Sequence, residues 1–291
     1  MPISLSHRAF IAIVRAFESL IKAISTEAYL KIATALVNEL DLIHKVSTPK
    51  GAIHIRCLSE TVRIRANGLL RREPDTLEWI ETFEPEDVFW DIGSNIGVFT
   101  LYAGIVASTR VVAFDPLPQN YGALTQNIAL NGLTEKVQPF CIAISDETIL
   151  APLHITAQSN TAGGAGCSFG SNIDNYGQVL PTIIKHPTLG YSIDAFLETF
   201  DVPFPTHIKI DIDGIQEKVI LGAKKTMRDP RLKTVMVELQ RNNIPMGKKA
   251  NDIILKELEE AGFHCIKTAP ATPNLTADRE TSVTNNFFTR A

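Results

Sequence analysis

Residues 88 to 100, Val88-Phe89-Trp90-Asp91-Ile92-Gly93-Ser94-Asn95-Ile96-Gly97-Val98-Phe99-Thr100, constrain this chain more than any other stretch. A short apolar run ends in a carboxylate, a turn with two glycines follows, and an apolar helical pattern begins at once. The spacing predicts strand, tight turn, helix. Asp91 would sit at the carboxyl end of a strand buried on both faces, where a carboxylate is costly without a partner. A cationic or hydrogen-bonding ligand is one natural partner. Gly93 and Gly97 allow a sharp bend and let a ligand approach the main chain, and Asn95 is placed to cap a helix beginning near Ile96. In an open α/β sheet the ligand crevice lies just past such strand ends. The Asp-x-Gly-x-Asn-x-Gly spacing departs from the Gly-x-Gly-x-x-Gly of dinucleotide binders, and a glycine turn by itself also suits a plain fold device.

A second acid follows about twenty residues on. Arg110-Val111-Val112-Ala113-Phe114-Asp115 reads as another buried strand, and an acid at that offset can accept hydrogen bonds from both hydroxyls of a ribose. Two neighbouring strands ending in Asp suggest an adenosine ligand; the plainer reading is that Asp115 caps the turn at Pro116. Farther along, His207-Ile208-Lys209-Ile210-Asp211-Ile212-Asp213-Gly214 puts a charged residue at every second position of an apolar strand. Strand alternation sets Lys209, Asp211 and Asp213 on one side at its carboxyl end. A lysine between carboxylates either locks the strand end as an ion pair or arranges a proton acceptor beside a substrate hydroxyl.

Strand and helix periods alternate through the rest of the chain. Strands are expected at 88–92, 110–114, 137–144, 207–211, 235–239, 263–268 and 285–290, and helices near 96–106, 118–131, 193–200, 214–227 and 251–260. That order means a mostly parallel sheet covered on both faces, with an antiparallel finish because only a loop, 269–284, joins the last two strands. Residues 150–156 suggest a strand in an insertion, followed by a Gly- and Ser-rich loop over 159–170. Without a Lys or a following helix the loop is not a phosphate cradle, and it serves as a lid, an acceptor contact or an idle connection.

Ahead of this core, Phe10, Ile13, Val14, Phe17, Leu20, Ile21 and Ile24 fall on one helical face, and Tyr29, Ala33, Leu36, Val37, Leu40 and Ile43 on a second, after a cap at Ser25 or Thr26. The pair makes an N-terminal helical extension over residues 1–50, ahead of a domain over 51–291; a second copy of the chain is one outlet for its apolar faces. A small hairpin is expected from Ile53, Ile55 and Cys57 with Val62 and Ile64, and Asp75 with Glu78 suggests a capping box. The net charge of −4 is unevenly spread, since residues 1–72 carry a balance of +6 and leave −10 to the remainder. Cys57, Cys141, Cys167 and Cys265 show no metal-ligand spacing and read as reduced thiols of a cytoplasmic protein; no metal is expected. No apolar run reaches the length of a transmembrane helix.

The motifs Asp91-Ile92-Gly93-Ser94-Asn95-Ile96-Gly97, Ala113-Phe114-Asp115-Pro116, Asn127 with Asn131-Gly132-Leu133, Ala143-Ile144-Ser145-Asp146, Ile208-Lys209-Ile210-Asp211-Ile212-Asp213-Gly214 and Leu221-Gly222-Ala223 occur in the order found in the FkbM family of S-adenosylmethionine-dependent methyltransferases, which the chain resembles from about Glu73 to Arg290. The resemblance implies a class I methyltransferase fold, Rossmann-like, with a seven-stranded sheet. It implies that Asp91, Gly93, Ser94, Asn95 and Gly97 surround the methionine part of S-adenosyl-L-methionine. Asp115 would hold the ribose, the main chain at Ile142 and Ala143 would meet the adenine, and Asp211 would stand near the methyl and the acceptor. Asp115 and Asp213 stand where Glu is usual in the family, and Gln216 stands where an acid is frequent.

The resemblance implies O-methylation, with a sugar hydroxyl of a glycan or glycosylated metabolite as acceptor. Asp211 would serve as base, tuned by Lys209 or Asp213, with His207 and His186 as alternatives. The strand ending at Asp211 lacks the Asn/Asp-Pro-Pro-aromatic motif of base-amine methylation, and the acidic core disfavours nucleic acid. A nicotinamide oxidoreductase and a non-catalytic cofactor-binding or assembly module are the competing classes.

Overall fold

Two units divide the chain between Leu42 and Ile43. The computed structural model describes residues 5–40, 42–173, 177–240, 242, 244–271 and 283–290. In the first unit α1 (Leu5–Ile24) and α2 (Thr26–Glu39) meet at Ser25, whose hydroxyl accepts from the amide of Ala28 and so caps α2. Glu18 accepts a hydrogen bond from Lys22 within α1 and another from Tyr29 on α2. Among the described residues no helix is long and apolar enough to cross a membrane.

The second unit opens with an antiparallel hairpin, but not at the expected place. β1 (Ile43–Thr48) pairs with β2 (Gly51–Arg56), and Val62 and Ile64 lie on a helix, α3 (Glu60–Arg72). The reason is local: the Ser59 hydroxyl accepts from the amide of Val62 and caps α3, and Val62, Ala66 and Leu69 share its buried face. The expected capping box at Asp75 is also corrected. α4 (Pro74–Ile80) starts on Pro74 without a side-chain cap, and Asp75 and Glu78 instead pair with Lys267.

The central sheet follows the sequence pattern closely. Its strands are β3 (Val88–Ile92), β4 (Arg110–Phe114), β5 (Val137–Phe140), β10 (His207–Ile210), β11 (Thr234–Leu239), β12 (Phe263–Pro270) and β13 (Thr284–Arg290), in the order β12-β13-β11-β10-β3-β4-β5. Only β13 runs against the rest, as the last strand was expected to do; most of the 269–284 connection lies outside the described residues. This is the class I methyltransferase fold. α5 (Val98–Tyr102) with a π-turn over Ala103–Ala107, α6 (Pro118–Leu130), α7 (Ile193–Thr199), α8 (Gln216–Leu221), α9 (Lys224–Arg228) and α10 (Pro245–Glu260) cover its faces. Side chains alternate along β3, so Phe89 packs with Trp79, Leu101 and Phe287 on one face, and Trp90 with Phe114, Phe196 and Ile208 on the other.

Three departures shape the site. The strand expected over 137–144 breaks at Cys141-Ile142, and its second half, β6 (Ala143–Ser145), joins a separate four-stranded sheet with β7 (Ile149–Thr156), β8 (Ser168–Phe169) and β9 (Thr182–Ser192). The helix expected over 214–227 breaks at Gly222, where a Cβ would come 2.2 Å from the carbonyl oxygen of Ser145. The asparagines of the third motif hold β2 against α6. Asn127 accepts from the Arg56 amide and donates to the Ile96 carbonyl, while Asn131 pairs with both backbone groups of His54.

His207 lies at the start of β10, at the opposite end from Asp211, so it is no candidate base. Trp79 donates to the Thr234 hydroxyl at 2.9 Å, Thr234 and His207 Nδ1 are 2.7 Å apart, and His207 Nε2 lies 3.0 Å from Asp87. The ring stacks on Phe83 at 3.8 Å. This chain of donors keeps the imidazole neutral with its proton on Nε2, and burial, partly opposed by Asp87, lowers its pKa to about 4. A depressed native pKa means that the unfolded state takes up protons first as pH falls. Stability is therefore expected to drop by about 3 kcal/mol between pH 6.5 and 4. Chemical denaturation across that window should show the loss, and His207→Gln, though less stable at pH 7.5, should show a shallower one.

Candidate active site

The carboxyl ends of β3, β4 and β10 converge on one cavity of about 1000 Å³, counting the part open to solvent. The turn after β3 brings its backbone hard against that of β10. Gly93 has φ 86°, and a Cβ there would lie 1.9 Å from the carbonyl oxygen of Asp211. Only glycine fits. Asn95 does not cap a helix as expected. It has φ 53°, its Oδ1 accepts from the amide of Ile96, and α5 begins two residues later behind Gly97 because the chain first closes a turn from the Gly97 amide to the Ser94 carbonyl.

Of the expected cofactor residues, Gly93, Ser94, Asn95, Asp115, Ile142 and Ala143 line the cavity. Asp91 and Gly97 do not. The Asp91 carboxyl is wholly buried beneath the floor, where Oδ2 accepts from the Thr100 hydroxyl at 2.7 Å and Oδ1 stands 4.0 Å from the Lys209 ammonium with no hydrogen-bond partner. The cause is register: Asp91 and Lys209 are paired neighbours on β3 and β10, so the acid is spent on the lysine. Gly97 fails for a different reason: it packs against α6, since a Cβ there would meet Leu124 at 2.5 Å.

The expected catalytic trio does converge on the cavity wall. Lys209 is 1% exposed and donates to Asp211 at 2.7 Å, and its ammonium lies 4.7 Å from the centre of the Phe99 ring. Burial works against the charge on Lys209, but Asp211, Asp91 and Glu73 outweigh it and hold its pKa above the usual lysine value. Burial likewise pushes Asp211 up, and Lys209 more than reverses this, so Asp211 stays ionised with its side chain 29% exposed. Asp213, raised by burial, accepts from the amide of Gly166 at 2.5 Å.

Asp115 is buried at the tip of β4 and accepts from the amides of Asn95 and Leu117 at 2.8 and 2.9 Å. Burial raises its pKa to about 6, with those two amides pulling the other way. Asp115 thus braces the turn and also faces the cavity.

The glycine-rich loop is a built wall. The Gly164 carbonyl accepts from Asn95 and Asn120, Asn120 Oδ1 accepts from the Gly163 amide, Arg65 donates to the Gly163 carbonyl at 2.7 Å, and Ser59 donates to that of Ala162. Arg65, Glu73 and Asn120 line the cavity and escaped the sequence reading; Glu238, behind the lining, escaped it too. Glu238 follows Val237, the β11 partner of Ile210, and so stands beside Asp211; burial and the charges of Asp211, Asp213 and Glu73 raise its pKa well above the usual range. Asn120 alone carried a signal, five positions past Asp115 in the first turn of α6. His186 lies on β9 and is not part of the wall.

The Methyltransferase FkbM domain matches residues 91–265. The hexuronic acid methyltransferase AglP of Haloferax volcanii is 26% identical over 200 residues, covering 68% of this chain and 74% of that protein. The methyltransferase FkbM from Methylobacillus flagellatus superposes with a TM-score of 0.46 at 15% identity, covering 78% of this chain and 53% of that one. M. jannaschii TYW2, solved in complex with AdoMet, gives 0.42 at 12% identity over 87% and 88% of the two chains. The family match sets aside the nicotinamide oxidoreductase and the non-catalytic module. With a class I sheet, a glycine turn pressed against β10 and a match over most of the core, the chain belongs to the FkbM methyltransferase family.

Proposed function

We propose that this methyltransferase uses S-adenosyl-L-methionine and transfers its methyl group to a hydroxyl of a sugar or glycan acceptor, with Asp211 as the group that receives the hydroxyl proton. The observation that carries this reading is Asp211, ionised, partly exposed and fixed by Lys209 on the same cavity wall as Asp115. The cavity also suits the cofactor. Ser94 Oγ is buried on its wall without a hydrogen-bond partner, and Asp115 stands at the tip of the adjoining strand. The glycan acceptor is supported by the hexuronic acid methyltransferase among the relatives.

When bound, the cofactor supplies a methyl group activated on a sulfonium. Ser94, Asn95 and the Gly93 main chain would hold its methionine end, Asp115 the ribose hydroxyls, and Ile142 and Ala143 the adenine edge. The Lys209 ammonium, 4.0 Å from Asp91, donates to Asp211 at 2.7 Å, and this hydrogen bond holds the Asp211 carboxylate in place. A carboxylate with a lowered pKa is a weak base, so Asp211 accepts a hydrogen bond from the acceptor hydroxyl and takes the proton late, as the carbon–oxygen bond forms. Alignment and water exclusion supply the rest, and the loop over 162–166 forms part of the wall that excludes water.

Asp211→Asn is expected to lower kcat by about 100-fold or more while leaving S-adenosylhomocysteine affinity nearly unchanged. Undiminished turnover in a labelled-methyl assay on saccharides would remove Asp211 from this role. Protonating Asp115 deletes an acceptor for the ribose, so calorimetric affinity for S-adenosylhomocysteine should fall as pH is lowered from 7.5 through 6, in line with its pKa of about 6. Asp115→Asn should bind weakly at every pH and lose that dependence.

A further inference from the structure

Helix α1 carries an internal repeat that the catalytic unit leaves unexplained. Arg8-Ala9-Phe10-Ile11-Ala12-Ile13-Val14 is followed by Arg15-Ala16-Phe17-Glu18-Ser19-Leu20-Ile21 and then by Lys22-Ala23-Ile24, so a cation, an alanine and a large apolar residue return every seven positions. At 3.6 residues per turn, Phe10, Ile13, Val14, Phe17, Leu20, Ile21 and Ile24 form one broad stripe, and Arg8, Arg15 and Lys22 a second, nearly opposite. Phe10, Ile13, Phe17, Leu20 and Ile24 are between 55% and 78% exposed. The three cations are exposed as well. α2 does not relieve this face, because it contributes Leu30, Leu36 and Val37 to the exposed apolar surface.

Two occupants suit an apolar heptad stripe: another helix of the same kind, or a lipid interface. A coiled-coil seam is narrow, packs β-branched residues or leucine, and is flanked by charges that fix register. Here the flanks are Val14 and Ile21 on one side and Ala9, Ala16 and Ala23 on the other, with phenylalanine twice in the seam. No charge beside the seam can select a partner helix. A bilayer interface requires none of this; it takes a wide apolar face rich in Phe and Leu, and its anionic headgroups attract cations on the polar face. α1 supplies three such cations against one acid, Glu18, which is itself tied to Lys22 at 2.6 Å.

We propose that α1 is a membrane-surface helix that lies in the interface of an anionic phospholipid bilayer without crossing it. The test is flotation of the full chain with vesicles of phosphatidylcholine containing phosphatidylglycerol, compared with phosphatidylcholine alone. The wild type should float with the anionic vesicles, at least about ten-fold more strongly than with the neutral ones, and lose binding as salt is raised. Arg8→Gln with Arg15→Gln and Lys22→Gln should bring anionic binding down to the neutral level. Phe10→Glu with Phe17→Glu should abolish it while leaving S-adenosylhomocysteine affinity and the unfolding transition of the catalytic unit in place. Absence of flotation with anionic vesicles overturns the proposal. So does a concentration-dependent dimer in light scattering that Phe17→Glu dissociates while vesicle binding stays nil; α1 would then meet a second copy.

Discussion

A single buried ammonium sets the geometry of this molecule. Lys209 is enclosed by the central sheet, and a lone cation there would cost several kcal/mol. Asp211 at 2.7 Å and Asp91 at 4.0 Å make its position tenable. The cost of removing one partner would be larger than the worth of the pair, because the other charges would remain buried and unbalanced. Each carboxylate comes from a different segment, so the ion triplet also fixes how β3 and β10 end. That fixed ending lets the Gly93 turn press on the Asp211 carbonyl and opens the crevice beside it.

The charge pattern around the triplet explains why the acids behave differently. Asp211 touches the lysine and stays ionised. Glu238, one strand over, and Glu73 are raised first by burial and then by the charge of Asp211, with less relief from the lysine. Burial raises Asp91 and Asp213 as well, so among these carboxyls Asp211, the one hydrogen-bonded to the lysine, is the one held below the usual range.

Sequence legibility followed the range of the interactions. The strands ending at Ile92, Phe114 and Ile210 and the covering helices could be read from periods of two and 3.6, because burial imposes those periods directly. Lys209, Asp211 and Asp213 were legible as a trio because all three lie within five residues of one another, on β10 and just past its end. Asp91 was misplaced, since its partner lies across a strand boundary that the sequence does not mark. Arg65 and Glu73 left no trace at all: they reach the cavity from α3 and its end, and nothing in a local pattern reports a contact made a hundred residues away, such as Arg65 with Gly163. The hairpin was shifted because Ser59 reads equally as a turn residue and as a helix cap.

The loop over 162–166 is fastened from inside and from outside the segment that the family match covers. Asn95, Asn120 and Asp213 fasten it from within residues 91–265, but Ser59 and Arg65 fasten it from α3, which precedes that segment. A fragment trimmed to the matched residues would therefore retain the catalytic trio and lose two of the five residues that fasten this wall, leaving the crevice more open to water even where every reacting group is present.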